Sequence, residues 1–203
     1  QFFSELPPFF RAVAETGGLM PYGTQLLEGN IQPSYDIKRE SRPMNIAEKL
    51  IANRTWLGAD GTSGIASVKP GDQVLAQCAF RGMHEYTCGM VMDLYRQEWG
   101  TSPVERPEQV AAFEDHFVLI DHETVPDHVK SARLKPAMRL TEEMVEACRQ
   151  NGVRLHGPGR EYPAGVCHRL VVEDYALPGD VVVLTDSHSP TAGVLNTFAF
   201  GVG

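Results

Sequence analysis

What this chain lacks narrows its class before any motif is read. Its 203 residues hold only four cysteines, Cys78, Cys88, Cys148 and Cys167, with no C-x-x-C pair among them. Neither a zinc knuckle nor a disulfide framework is suggested, and reduced, mostly buried thiols are the expectation. No apolar run approaches the roughly 18 to 20 residues that cross a bilayer, and the N-terminus shows no charged-then-apolar signal pattern. Basic charge is scarce as well: 18 Lys and Arg face 26 Asp and Glu, a formal charge of −8. That balance argues against a nucleic-acid surface and against an anionic membrane surface. The expectation is an intracellular protein, cytoplasmic or of the mitochondrial matrix if the source is eukaryotic, with no nucleic-acid or membrane partner. Internal repeats and low-complexity tracts are missing too.

What is present is an ordinary globular composition, 42% hydrophobic, on a chain long enough for one sizeable core. Residues 1–43 carry no sustained period and end in the polar run DIKRESRP, which reads as an N-terminal extension or linker. A domain over 44–203 is expected to open with MNIAEKLIANR, a helix with Asn45 as N-cap and Glu48 three residues on. Beyond it, DQVLAQCAF and HFVLID read as strands. LTEEMVEACRQNG reads as a helix capped by Thr141 and closed at Asn151-Gly152, and VRL and DVVVLT read as strands. Alternation of this kind predicts a layered α/β domain with largely parallel strands. The spacing of Val194, Leu195, Phe198 and Ala199 predicts a helix over about residues 193–203. The chain begins on Gln1 and stops on Gly203, and a portion of a longer protein, or one chain of a split one, is expected.

Polar residues capable of chemistry gather where apolar runs end. VVVLTDSHSPTAG places Asp186, Ser187 and His188 after a strand pattern, the position where open α/β sheets collect ligands. Asp186 or Ser187 could equally do no more than cap the following helix. FVLIDHETVPD sets Asp121 beside His122, and a neighbouring carboxylate orients an imidazole and holds its proton for general acid work. His168 precedes another apolar stretch in AGVCHRLVVEDY, and His84 and Glu85 lie in RGMHEYTCG. Four such histidine-bearing sites are expected to converge, because a core has no need of imidazoles at these places.

These motifs resemble the aconitase and 3-isopropylmalate dehydratase large-subunit family. DSHSPTAGVLNTFAFGVG looks like its DSHT segment and IDHETVP like its Asp-His motif. GPGREYPAGVCH looks like its Gly-rich run ending in a His, and HEYT like the matching motif of 3-isopropylmalate dehydratase large subunits. MNIAEKLIANR, VKPGDQV and NGVRL fall in the same order, so the likeness covers about residues 44–203. It implies a three-layer α/β/α domain with a mostly parallel sheet, the N-terminal portion of an iron–sulfur hydro-lyase. Such enzymes move water across a carbon–carbon bond of a hydroxy di- or tricarboxylic acid.

By motif, Asp121 and His122 would form a proton relay and His168 and His188 would support the leaving or attacking water. Asp186 and Ser187 would hold His188 and the substrate or cluster, and His84 would contact the substrate. A 4Fe-4S cluster is implied, with ligating cysteines expected outside these 203 residues. The partners implied are the hydroxy acid and the remaining aconitase domains, in the same or a partner chain. Position 189 is Ser where the family commonly has Thr, which retains a hydroxyl. Two rival readings stay open: a metal-dependent hydrolase in which His84, Asp121, His122, His168, Asp186 and His188 bind metal directly, and a non-catalytic domain of the same fold.

Overall fold

The computed structural model describes residues 6–33, 35, 38–58, 60–120 and 122–202. Its contacts divide into two compact units, Gln1–Cys78 and Ala79–Gly203.

In the first unit, α1 (Pro8–Glu15) and α2 (Leu19–Leu27) are joined by an edge-to-face contact of Phe9 with the buried Tyr22, 5.7 Å between centroids. Helix α3 (Ile46–Arg54) starts as expected: the Asn45 side chain accepts the Glu48 N–H, and the Glu48 carboxylate accepts the Asn45 N–H. The division of the chain differs from the expected boundary near Met44. Arg39 pairs with Asp72, Arg42 bonds both Glu48 and the Val68 carbonyl, and Ser67 donates to the Glu40 carbonyl. These polar side chains of the supposed linker serve as partners for residues 44–78, so the two stretches form one unit.

In the second unit five strands alternate with helices. They are β1 (Phe80–His84), β2 (Val110–Phe113), β3 (Arg154–His156), β4 (Val181–Leu184) and β5 (Phe198–Gly201). The sheet order is β3-β2-β1-β4-β5 and every pairing is parallel. Helices α4 (Glu85–Trp99) and α5 (Asp127–Asn151) cover one face, where Met83, Val110 and Ala112 meet Met92, Met144 and Ala147. Helix α6 (Cys167–Asp174) and a 3-10 helix (Ser189–Leu195) cover the other, over Phe80, Ala111, Phe113, Val182 and Leu184. This is the expected three-layer α/β/α arrangement, because strands buried on both faces need apolar cover on both. Gly82 of β1 leaves room for Leu184, since a Cβ there would lie 2.2 Å from its Cδ2.

Several local expectations move. Of DQVLAQCAF only Phe80 is in a strand; Leu75 and Gln77 instead bond Trp56 and Arg54 within the first unit. Of HFVLID, His116 to Ile120 form a bend and turn, with Ile120 donating to the Phe117 carbonyl and His122 to that of Leu119, while Asp121 lies outside the described residues; the fully buried VAAF at 110–113 takes the strand position. Thr141 lies inside α5, which runs 25 residues and ends at Gly152 in the left-handed region, φ 65°. The C-terminal helix is not formed: Asn196, φ 62°, ends the 3-10 helix, and Phe198–Gly201 pairs with β4.

Candidate functional site

Strand order reverses at β1 and β4, since the chain moves outward from β1 through β2 to β3 and then returns to β4 on the other side. A crevice opens at such a switch point, beyond the carboxyl ends of the strands. The carboxyl ends here are His84 and the segment Thr185 to His188, and they are tied together. The His84 Nε2–H donates to the Thr185 carbonyl at 3.1 Å, and the Thr87 and Thr185 hydroxyls lie 2.6 Å apart.

Asp186, 5% exposed, is the hub. Its Oδ1 accepts the His188 N–H at 3.0 Å and faces His168 Nδ1 at 3.1 Å; its Oδ2 lies 3.8 Å from His188 Nδ1 and from His116 Nε2. Burial works against ionising this carboxyl. The His188 N–H and the imidazoles of His168, His188 and His116 outweigh it and hold the group below the usual carboxylate range. Asp186 therefore both closes the turn into the 3-10 helix and orients His168. Ser187 and His188 are exposed beside it, with Ser187 Oγ 3.3 Å from His188 Nδ1.

His84 is buried, and both its ring nitrogens are committed: Nδ1 accepts the Tyr86 N–H, capping α4, while Nε2 bonds Thr185. Burial, and then the neighbouring His116, lower its basicity, so the neutral ring is favoured. His122 is exposed on its turn, with Nδ1 bonded to the Thr124 hydroxyl at 2.9 Å. No described bond carries it into the cluster, and Asp121 lies outside the described residues.

Sequence reasoning missed Asp115, His116 and the role of Glu85. The His116 ring stacks on His84, 3.8 Å between centroids, and its Nδ1 sits 2.5 Å from Asp115 Oδ1. Asp115 Oδ2 accepts the Cys167 N–H at the start of α6 at 2.7 Å. Glu85, 1% exposed, accepts the N–H groups of His116 and Phe117, and burial raises its carboxyl above the usual range. An Asp-His pair close behind a strand is the available signal, but the strand reading of HFVLID begins at His116 and splits the pair.

Two side-chain trios among the described residues bring potential ligand atoms within 4.8 Å of one another: His84, Glu85 and His116, and Cys167, His168 and Asp186. The first is spoken for by the backbone bonds of His84. The three cysteines of the second unit do not converge: Cys88 and Cys148 are buried in the layer of α4 and α5, Cys167 on the opposite face of the sheet. Burial pushes the Cys167 thiol up, away from the thiolate form.

A sequence model described as "Aconitase family (aconitate hydratase)" matches residues 62–203. A "Probable 3-isopropylmalate dehydratase large subunit" of Methanothermobacter thermautotrophicus is 32% identical over 161 residues, 79% of this chain and 33% of that protein. "3-isopropylmalate dehydratase large subunit 1" of Pyrococcus furiosus is 32% identical over 161 residues, 79% of this chain and 32% of its own length. The protein of that name from Methanopyrus kandleri is 32% identical over 159 residues, 78% of this chain and 32% of its own. The chain thus spans about a third of the length of the curated relatives it matches.

Proposed function

Because this chain belongs to the aconitase family, we propose that its second unit supplies the imidazole and carboxylate wall of a hydro-lyase active site. The reaction is the movement of water across a carbon–carbon bond of a hydroxy di- or tricarboxylic acid. One observation carries the reading: His84, His116, His168 and His188 gather around Asp186 at the switch point of a parallel sheet. Hydroxide is a poor leaving group, so its departure needs an acid aimed at the oxygen, and carboxylate-oriented imidazoles meet that need. On motif likeness the relay falls to Asp121 and His122, with His168 and His188 at the water and His84 and Ser187 toward the substrate.

Family members use a 4Fe-4S cluster, whose open iron polarises the leaving hydroxyl when it is bound. The buried thiols of Cys88, Cys148 and Cys167 do not fit that group, lying on opposite faces of the sheet, and its ligands are proposed to come from the remaining aconitase domains in the same or a partner chain. The direct-metal hydrolase reading loses support because both nitrogens of His84 are held by the backbone. The full-length gene product, purified anaerobically with any partner subunit, is the proper test. Dehydration of 3-isopropylmalate to its unsaturated acid, or hydration of the unsaturated acid aconitate, is expected, and a cluster-loaded protein inert toward both acids would defeat the proposal.

A further inference from the structure

We infer that His156, at the carboxyl end of β3, is a positioning residue that aims His168 into the crevice through the Pro163 carbonyl. The inference rests on the hydro-lyase reading above, in which His168 stands at the reacting water, and it names what holds that ring in place.

His156 is 2% exposed and both its ring nitrogens have partners: Nδ1 lies 3.0 Å from the Pro163 carbonyl oxygen, and Nε2 is hydrogen-bonded to the Tyr175 hydroxyl. A carbonyl oxygen can only accept, so Nδ1 carries the proton. Burial lowers the basicity of the ring against the opposing pull of the Pro163 bond and of Asp174, and the neutral form is favoured. In that form Nε2 is bare and accepts the Tyr175 O–H. Packing keeps both rings where they are: His156 stacks on Phe113, 5.0 Å between centroids, and Tyr175 on Phe80 at 4.3 Å. Tyr175 is the C-cap of α6, so His156 joins β3 to the chain on either side of that helix.

The Pro163 end of this link bears on the site. Residues 157–166 carry the chain from β3 to α6, whose second residue is His168. The first part of the segment is tied down, since the Gly157 N–H reaches the Tyr162 carbonyl at 3.4 Å and Arg160 Nε donates to Glu114 Oε1 at 2.6 Å. Residues 163–166 have no regular structure, and among the described residues the only hydrogen bond of Pro163, Ala164 and Gly165 is that of the Pro163 carbonyl to His156. The next fixed point is the Cys167 N–H, held by Asp115 Oδ2 at 2.7 Å. The two points together set the direction in which the chain enters α6, and that direction decides where His168 Nδ1 meets Asp186 Oδ1, 3.1 Å away. With the Pro163 bond lost, the entry pivots about Cys167 alone. A displacement of about 1 Å transmitted to a reacting group is enough to cost about 10²-fold in rate.

The test compares two substitutions in the active full-length enzyme. An Asn amide donates from near the place of Nδ1 and keeps the Pro163 bond; a Gln amide reaches the place of Nε2 and keeps the Tyr175 bond instead. His156→Gln is expected to lower kcat by about 10²-fold with KM within a few-fold, while His156→Asn retains at least about a fifth of kcat. A role in packing alone gives the reverse order, because Gln is closer to His in volume, and that order, or equal losses, overturns the inference. Independently of turnover, NMR of ¹⁵N-histidine-labelled protein should show His156, assigned by its shift in Tyr175→Phe, as a neutral ring protonated on Nδ1. The His168 signals should move in His156→Gln and stay in place in His156→Asn. A wild-type His156 protonated on Nε2 overturns the inference even where a variant fails to fold. A wild-type enzyme inert toward both acids overturns the hydro-lyase reading instead, and the NMR signals still decide whether His156 holds His168.

Discussion

Asp186 does two jobs at once, and a single substitution separates them. Asn keeps the shape and the turn bond to the His188 N–H but removes the charge that orients His168. Asp186→Asn in the full-length enzyme is expected to lose at least about ten-fold in kcat, while unfolding shifts by less than the roughly 0.5–2 kcal/mol that a lost cap costs. Thermal unfolding and kcat on one preparation check it, and near-normal turnover would reduce the residue to a turn former. His84 makes a pH-dependent contribution of definite sign. Its folded basicity is lowered from 6.5 by burial and then by His116, so the unfolded ring takes up protons first. The stability it contributes is present above about pH 6.5 and lost as pH falls toward the lowered folded value. His156, lowered chiefly by burial, acts in the same direction. Melting temperature should fall between about pH 7 and pH 5, and His84→Gln should flatten that slope; a slope unchanged by the substitution would show the ring is not the titrating group. Glu85, raised by burial, works the other way at lower pH and leaves the wild-type-to-variant difference intact.

Elements were legible where one local rule governed them. Asn45 and Glu48 announced the start of α3, and the capping box is there; Asn45→Ala should cost about 1 kcal/mol of stability by chemical denaturation. VVVL announced β4, and Asn151-Gly152 the end of α5. Legibility failed where a helical and a strand reading competed for one short apolar run. Phe198 to Gly201 shows alternation of two as readily as a helical face, and only the open edge of β4 decides between them. The close approach at Gly201 offers a measurement: a Cβ there would lie 2.5 Å from the Asp186 carbonyl oxygen, a backbone atom that cannot swing away. Gly201→Ala is expected to destabilise by about 1–3 kcal/mol and to disturb the Asp186 turn; a melting curve within error of wild type would mean that the β5 edge yields freely.

At the scale of the whole molecule the sheet order places the site, and the sheet also separates the thiols. With Cys88 and Cys148 under one face and Cys167 under the other, anaerobic reconstitution of the 203-residue chain with iron and sulfide should give far less than one cluster per chain. About four irons per chain, abolished by Cys→Ser changes, would refute that. The sequence alone determined the class, the layered parallel architecture and the family, because composition, burial on both strand faces and ordered motifs are properties of local runs. It pointed to His84, His168, Asp186, Ser187 and His188 for the same reason, each closing or opening an apolar segment. Only the tertiary structure decided that Asp115 and His116 stand in the crevice while His122 faces solvent, and that both nitrogens of His84 are spent. Those outcomes depend on which strand lies beside which, and on the buried Glu85, Asp186 and His84 finding partners 31, 18 and 101 residues away in the chain, pairings that no window of neighbouring residues contains.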